Sequence, residues 1–89
     1  MSAGEASGFS PRKRVRFTKH AVLRMEQYGI PVSEVLRAIA QPDKVLLGYK
    51  GRRVAQKAAG RYVVRVVYEE AEDLITVVTV YRARRERYE

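Results

Sequence analysis

The chain has 89 residues, 46% of them hydrophobic, and this length and composition predict one small domain with a single core. Its 18 basic and 10 acidic residues give a formal net charge of +8, which indicates either a polyanionic partner or a need for solubility. The sequence has no cysteine, which excludes disulfides and thiolate metal sites, and its single histidine argues against a zinc centre. We therefore expect neither a metal nor a cofactor.

No apolar run approaches the roughly 20 residues of a membrane-spanning helix. The first residues do not follow the basic-then-apolar order of a secretion signal. We therefore expect a soluble cytoplasmic protein with no membrane partner. Residues 1–14 are predicted to form a flexible basic tail, in which Arg12, Lys13 and Arg14 either contact phosphates or are simply solvated.

Two short helices are predicted after this tail. Thr18 can cap a helix over Lys19–Tyr28, and Gly29 can end it in the left-handed conformation. Pro31 suits the first turn of a second helix, whose buried stripe is predicted to contain Val32, Val35, Leu36, Ile39 and Ala40. The two helices form a helical hairpin that must lay its apolar side on a sheet.

Four strands are predicted to follow, over residues 44–49, 52–58 and the two arms of a hairpin over 61–82. A two-residue loop at Ala71 and Glu72 would give that hairpin an apolar face carrying Tyr62, Val64, Val66, Tyr68, Ile75, Val77, Thr79 and Tyr81. A three-residue loop with Gly60 in the left-handed position would place the charged residues on the opposite face, namely Arg53, Lys57, Arg61, Arg65 and Arg82. The predicted fold is α+β, with two N-terminal helices packed on a four-stranded antiparallel sheet whose other face is open and basic.

Several short runs of the sequence resemble an uncharacterised family, domain of unknown function 4258. They are Phe17-Thr18-Lys19-His20-Ala21, Arg24-Met25, Tyr28-Gly29-Ile30, Glu34-Val35 and Pro42-Asp43. The resemblance covers about residues 16–84 and implies a branch of the RelE/ParE superfamily of small toxins. Residues 15–84 would form one RelE-like domain, and residues 85–89 would form a basic C-terminal tail. Ribonuclease members of that superfamily cut mRNA in the ribosome, whereas gyrase-poisoning members share the fold without known RNA cleavage.

Metal-independent RNA cleavage needs positive charge where the phosphorane develops, together with a base and an acid. The candidate catalytic residues are Arg65, Arg61, Lys57, Arg82 and His20. Arginine suits phosphate because its planar fork binds two oxygens, and a lysine crowded by arginines is a candidate base. His20 is either a base or a stacking ring, or it packs locally. The predicted nucleic-acid contacts are Arg53, Arg84, Arg85, Arg12, Lys13 and Arg14.

An aromatic or basic residue near the end of the last strand is typical of the superfamily, and Tyr81 lies in that region. The predicted register places Tyr81 on the core face, so Arg82 and Arg84 match the region better. Tyr88 can stack on a base if the C-terminal tail folds back.

The leading hypothesis is a RelE-like toxin that cleaves mRNA at the ribosome without a metal, an endoribonuclease whose basic face an acidic antitoxin would cover. The alternative is a non-catalytic module of the same fold that binds nucleic acid, the ribosome or gyrase. A third class is an interaction protein with no nucleic-acid ligand, in which the basic face is only solvated. The sequence leaves the oligomeric state open.

Overall fold

Two helices pack on one face of a five-stranded mixed sheet in the computed structural model, which describes residues 13–87. The elements are β1 (Arg14–Phe17), α1 (Lys19–Tyr28), α2 (Val32–Ala40), β2 (Lys44–Leu47), β3 (Arg53–Ala59), β4 (Tyr62–Glu70) and β5 (Leu74–Arg84). The strand order is β1-β5-β4-β3-β2, with β1 parallel to β5 and the other neighbours antiparallel. The predicted α+β class with two helices is confirmed, and the four predicted antiparallel strands are present as β2 to β5, but the sheet has a fifth strand, β1, that was not predicted.

The additional strand, β1, lies in the basic run near the N-terminus. Arg14 and Arg16 are exposed, whereas Val15 and Phe17 are half-buried against the core, as expected for the alternating sides of a strand. β1 pairs in parallel with the first residues of β5. The sheet thus includes Arg14, which the sequence analysis assigned to a tail. Arg12, another residue of the predicted tail, lies outside the described residues.

Helix α1 begins and ends at the predicted residues because local signals define both ends. The Thr18 hydroxyl accepts a hydrogen bond from the Ala21 N–H at 3.0 Å. Gly29 has a φ of 67°, and the Ile30 N–H donates to the Met25 carbonyl at 2.8 Å, which closes the helix in the left-handed cap.

Helix α2 also lies where it was predicted, but its buried stripe is shifted. Val35, Ala38 and Ile39 are buried, whereas Val32 is 48% exposed. Helix α1 packs mainly on β5, and α2 packs on β3 and β4. The largest fully buried side chains are therefore shared between α2 and the sheet: Val35, Ile39, Val66, Ile75, Val77 and Val80.

The β4–β5 hairpin forms, but its predicted register is wrong. Glu70 lies opposite Ile75 rather than Asp73, because the loop is longer than two residues and closes with a hydrogen bond from the Ala71 N–H to the Leu74 carbonyl. Farther along the hairpin the register shifts again, leaving Val78 as the extra residue of a β-bulge. Beyond the bulge every β5 side chain lies on the face opposite to the one that strict alternation predicts. The predicted placement of Tyr81 on the core face is therefore also wrong.

The β3–β4 connection is a two-residue turn, not the predicted three-residue loop. Ala59 lies opposite Tyr62, and Gly60 has the predicted positive φ, at 66°. This register places Lys57 and Arg53 on the helix side of the sheet. They escape burial there because the helices cover only part of this face; the Arg53 side chain, for example, remains 51% exposed.

Thr18 joins the cap of α1 to the bulge in β5. Its hydroxyl donates to the Val78 carbonyl at 2.8 Å while accepting from α1, and its N–H donates to the Val77 carbonyl at 3.0 Å. Thr18→Val keeps the shape of the side chain but loses both hydroxyl bonds. We expect it to lower the free energy of unfolding by about 1–3 kcal/mol, measured by urea denaturation. Thr18→Ser should stay close to wild type, and an unchanged urea midpoint for Thr18→Val would contradict this role.

Candidate nucleic-acid interface

A row of polar side chains crosses the open face of the sheet, the face turned away from the helices. Lys44 on β2 lies opposite Gln56 on β3, Gln56 lies opposite Arg65 on β4, and Arg65 lies opposite Tyr81 on β5. Gln56, Arg65 and Tyr81 each adjoin a core residue along the strand, so their side chains point to the other face. Neighbouring strands are about 4.8 Å apart, so this polar row spans roughly 14 Å.

The polar row lies between rows of small or apolar side chains. On one side Val54 lies opposite Val67, and on the other Val63 lies opposite Ala58 and Ala83. Val54 and Val63 are only 8% and 3% exposed, although neither belongs to the core cluster beneath the helices. The surroundings of the polar row are therefore less polar than open water. Electrostatic interactions and hydrogen bonds are stronger in such surroundings than in water.

Gln56 has a buried side-chain oxygen without a hydrogen-bond partner. The residue is only 5% exposed, and its Oε1 atom has no hydrogen-bond partner among residues 13–87. Buried polar atoms are nearly always hydrogen-bonded in native proteins, so an acceptor of this kind requires an explanation. A donor on a bound molecule, such as a base amino group or a hydroxyl, would satisfy it after a shift of the neighbouring side chains, because this oxygen is covered in the structure.

Arg65 and Tyr81 form the centre of the polar row. The Arg65 guanidinium carbon lies 5.7 Å from the centroid of the Tyr81 ring, a distance at which the cation and the aromatic face attract each other. This contact orients a planar guanidinium, which can bind two phosphate oxygens. The pair can therefore hold a phosphate and an aromatic base side by side.

The structure does not bring the predicted catalytic residues together. Only Arg65 belongs to the polar row. Arg61 lies in the β3–β4 turn, and the face change at the bulge puts Arg82 on the helix side, 5.6 Å from the Tyr62 ring. His20 lies on the exposed surface of α1, where its Nε2 accepts a long hydrogen bond of 3.4 Å from Arg24.

Lys57 is also separated from the polar row, because the two-residue turn places it on the helix side. Its ammonium donates to the Gln41 carbonyl at 2.9 Å and lies 3.7 Å from an Asp43 carboxylate oxygen. The expectation of a base crowded by arginines is therefore not met. Four of the five predicted catalytic residues therefore lie outside the polar row. The prediction that Lys57, Arg53 and Arg82 share a face of the sheet with Arg65 is wrong.

Two predicted nucleic-acid contacts lie at the acidic β4–β5 turn. Lys13 forms an ion pair with Glu70 and donates to the Ala71 carbonyl at 3.2 Å. Arg53 lies 3.9 Å from another oxygen of Glu70. These interactions neutralise part of the charge that was expected to attract phosphates.

Other arginines gather at the far end of the sheet, where β4 begins and β5 ends. The Arg85 N–H donates to the Arg61 carbonyl at 2.9 Å, and its guanidinium donates to the Gly60 carbonyl at 3.3 Å. Arg84 lies opposite Tyr62 in the sheet register. We call this group the basic end, and define it as Arg61, Tyr62, Arg82, Arg84 and Arg85. It includes Arg84 and Arg85, which were predicted to contact nucleic acid.

In residues 13–87 no helix is long and apolar enough to cross a membrane. Over the same range, no group of three or more histidine, cysteine, aspartate or glutamate residues could hold a metal ion.

A family model supports the resemblance that the sequence motifs suggested. The model described as Domain of unknown function (DUF4258) matches residues 17–82, a segment that contains the whole polar row. Searches of curated proteins and of solved structures give no match. Because the matched segment is most of the chain, this protein belongs to the DUF4258 family.

Proposed function

We propose that this protein binds single-stranded RNA across the open face of its sheet, through the polar row. The observation that carries the proposal is the alignment of Gln56, Arg65 and Tyr81 on adjacent strands within apolar surroundings. Proteins that bind single strands combine positive charge for the backbone with aromatic rings for the bases. The net charge of +8 favours such a polyanionic ligand.

Each central residue of the polar row has a distinct part in this proposal. Arg65 contacts a phosphate with its planar fork, and Tyr81 stacks on the adjacent base. Gln56 Oε1 accepts a hydrogen bond from a ribose 2′-hydroxyl or a base amino group. Of these donors the 2′-hydroxyl is absent from DNA, so this bond favours RNA. Lys44, at the exposed edge of the polar row, adds long-range attraction.

A second candidate is a RelE-like toxin that cleaves mRNA at the ribosome. It is favoured by the bulge, which sets Tyr81 beside Arg65 on the open face. In the superfamily that the sequence resembles, a residue near the end of the last strand acts together with basic residues of the sheet. The placement of Tyr81 fits that arrangement. Arg65 would stabilise charge developing on the scissile phosphate, and an acidic antitoxin would cover the open face. The polar row holds neither a histidine nor a carboxylate as a conventional base, so binding is the better supported function.

The binding proposal is tested with a labelled 12-nucleotide single-stranded RNA and DNA of matching sequence, over a range of salt concentrations. We expect RNA to bind more tightly than DNA, and affinity to fall as salt rises because phosphate contacts release counterions. Tyr81→Ala should weaken RNA binding by about 5- to 150-fold, whereas Tyr81→Phe should retain it. Equal affinities for wild type and Tyr81→Ala would refute the proposed binding surface.

The same variants separate binding from cleavage in a translating extract, with mRNA ends mapped by primer extension. Cuts made by the wild-type protein and absent with Tyr81→Ala would establish the second candidate. Intact message at saturating protein would exclude it and leave RNA binding as the function.

A further inference from the structure

We propose that the basic end is a second binding site for single-stranded nucleic acid, in which the Tyr62 ring stands between two successive nucleotides. This inference rests on the proposed function for the class of ligand, but it concerns a different surface. The polar row lies on the open face of the sheet, whereas Tyr62, Arg82 and Arg84 lie on the helix side.

Two shallow depressions flank Tyr62, whose side chain is substantially exposed, at 40% for the residue. The first has a volume of about 370 Å³ and is lined by Arg61, Tyr62, Arg84, Arg85 and Glu86. The second has a volume of about 390 Å³ and is lined by Tyr28, Tyr62, Arg82, Ala83 and Arg84. Tyr62 and Arg84 belong to both depressions. The two depressions thus meet at an aromatic ring and an arginine, and each is lined by at least two arginines.

The charges of the basic end favour phosphate. The Arg82 guanidinium carbon lies 5.6 Å from the Tyr62 ring centroid, so a cation and an aromatic face are already held together. Glu86 lies 3.6 Å from Arg84, but both side chains are more than two-thirds exposed, and exposed ion pairs contribute little. The arginines therefore retain a net attraction for an anion.

This arrangement matches a nucleic-acid strand better than an acidic polypeptide. A single strand alternates phosphates with flat bases, and the basic end alternates arginines with an aromatic ring. Stacking on an exposed ring is available to every base, so we expect little sequence preference. An acidic polypeptide would use the arginines and leave Tyr62 without a matching flat group.

The basic end is close enough to the polar row for one strand to reach both. Arg65 and Tyr62 are three residues apart on β4, which corresponds to roughly 10 Å along the strand. An RNA that leaves the polar row around the end of β4 would meet the basic end on the other face. The two sites therefore extend one binding path, and substitutions can separate them.

The test compares Tyr62→Ala with Tyr62→Phe, using a fluorescein-labelled octamer of single-stranded oligouridine. Circular dichroism first confirms that both variants are folded, as expected for a partly exposed side chain. Tyr62→Ala should weaken binding by about 5- to 150-fold, and Tyr62→Phe should bind like wild type. Arg82→Gln combined with Arg84→Gln should reduce the salt slope by about 1.4, since each phosphate contact contributes about 0.7 for a single strand.

Repeating the test in an Arg65→Ala background distinguishes this inference from the proposed function. If Tyr62→Ala still weakens binding there, the basic end acts as a separate site, whether or not Arg65 itself matters. If Tyr62→Ala leaves binding unchanged in both backgrounds, the inference is overturned while the polar row can still stand. Polyglutamate serves as a competitor that represents an acidic polypeptide. If it displaces the oligouridine equally well from wild type and from Tyr62→Ala, the arginines bind an acidic polypeptide, and the inference is also overturned.

Discussion

Replacing Arg65 with alanine is expected to lower the affinity for single-stranded RNA by roughly 10- to 150-fold, the range for losing a hydrogen bond to a charged group. The loss should be large because the guanidinium is oriented by the Tyr81 ring and lies between apolar rows. Arg65→Lys keeps the charge but not the planar fork, so it should recover only part of the affinity. Fluorescence anisotropy with the labelled 12-nucleotide RNA measures all three proteins under the same salt conditions.

Arg53→Ala is the matched control for Arg65→Ala. Arg53 is also an arginine on an inner strand of the sheet, but it begins β3 and lies on the helix side near Glu70. Its removal should change RNA affinity little. Equal losses for Arg53→Ala and Arg65→Ala would show that RNA responds only to net charge, and would contradict a defined site on the open face.

Inserting one alanine between Thr79 and Val80 is expected to destabilise the protein by about 2–4 kcal/mol, because one extra residue beyond the bulge turns the end of β5 over. Val80, which is fully buried, would move to the open face, and Tyr81 would move to the helix side. The insertion should therefore also abolish RNA binding by the polar row. Urea denaturation measures the first effect, and RNA titration at a temperature where the variant is folded measures the second.

Val78→Ala is the control for this insertion, since it shortens a neighbouring side chain and keeps the number of residues. It should retain the bulge, the register and RNA binding. An insertion variant that unfolds at the wild-type urea concentration and still binds RNA would show that the orientation of the end of β5 does not determine the site.

The helices could be predicted from the sequence because their signals are local. Thr18, Gly29 and Pro31 mark their ends through hydrogen bonding and backbone preference over a few residues. Strand β1 was missed because four alternating residues give a weak pattern, and two of them belong to a conspicuous basic run. Its partner, the start of β5, is about 60 residues away, and no local signal indicates that pairing.

Strand register depends on contacts that no short segment contains. The bulge at Val78 is held in part by Thr18, far away in the chain, so the alternation of β5 alone did not predict it. The β3–β4 turn was misjudged because charged residues were assumed to avoid the helix side. The small helices leave the rim of that face uncovered. There Lys57 lies near the Asp43 carboxylate and donates a hydrogen bond to the Gln41 carbonyl.

Among residues of the polar row, the sequence analysis selected Arg65, a charged residue in the middle of an apolar strand. Gln56 and Lys44 were missed because their alignment with Arg65 depends on the β3–β4 register. Tyr81 was recognised by resemblance and then assigned to the wrong face. One feature of the sequence does point to the bulge: strict alternation would leave Val80 on the open face next to Arg65.

The proposed RNA site is tested most directly by titrating the ¹⁵N-labelled protein with the 12-nucleotide single-stranded RNA and following its amide resonances. A site on the polar row predicts that the largest shifts occur at Gln56, Arg65 and Tyr81, with a second group around Tyr62 if the basic end also binds. Side-chain amide signals of Gln56 should move as well, because its Oε1 gains a donor. Shifts confined to α1 and α2, or no shifts at low salt, would contradict the assignment of the open face as an RNA-binding surface.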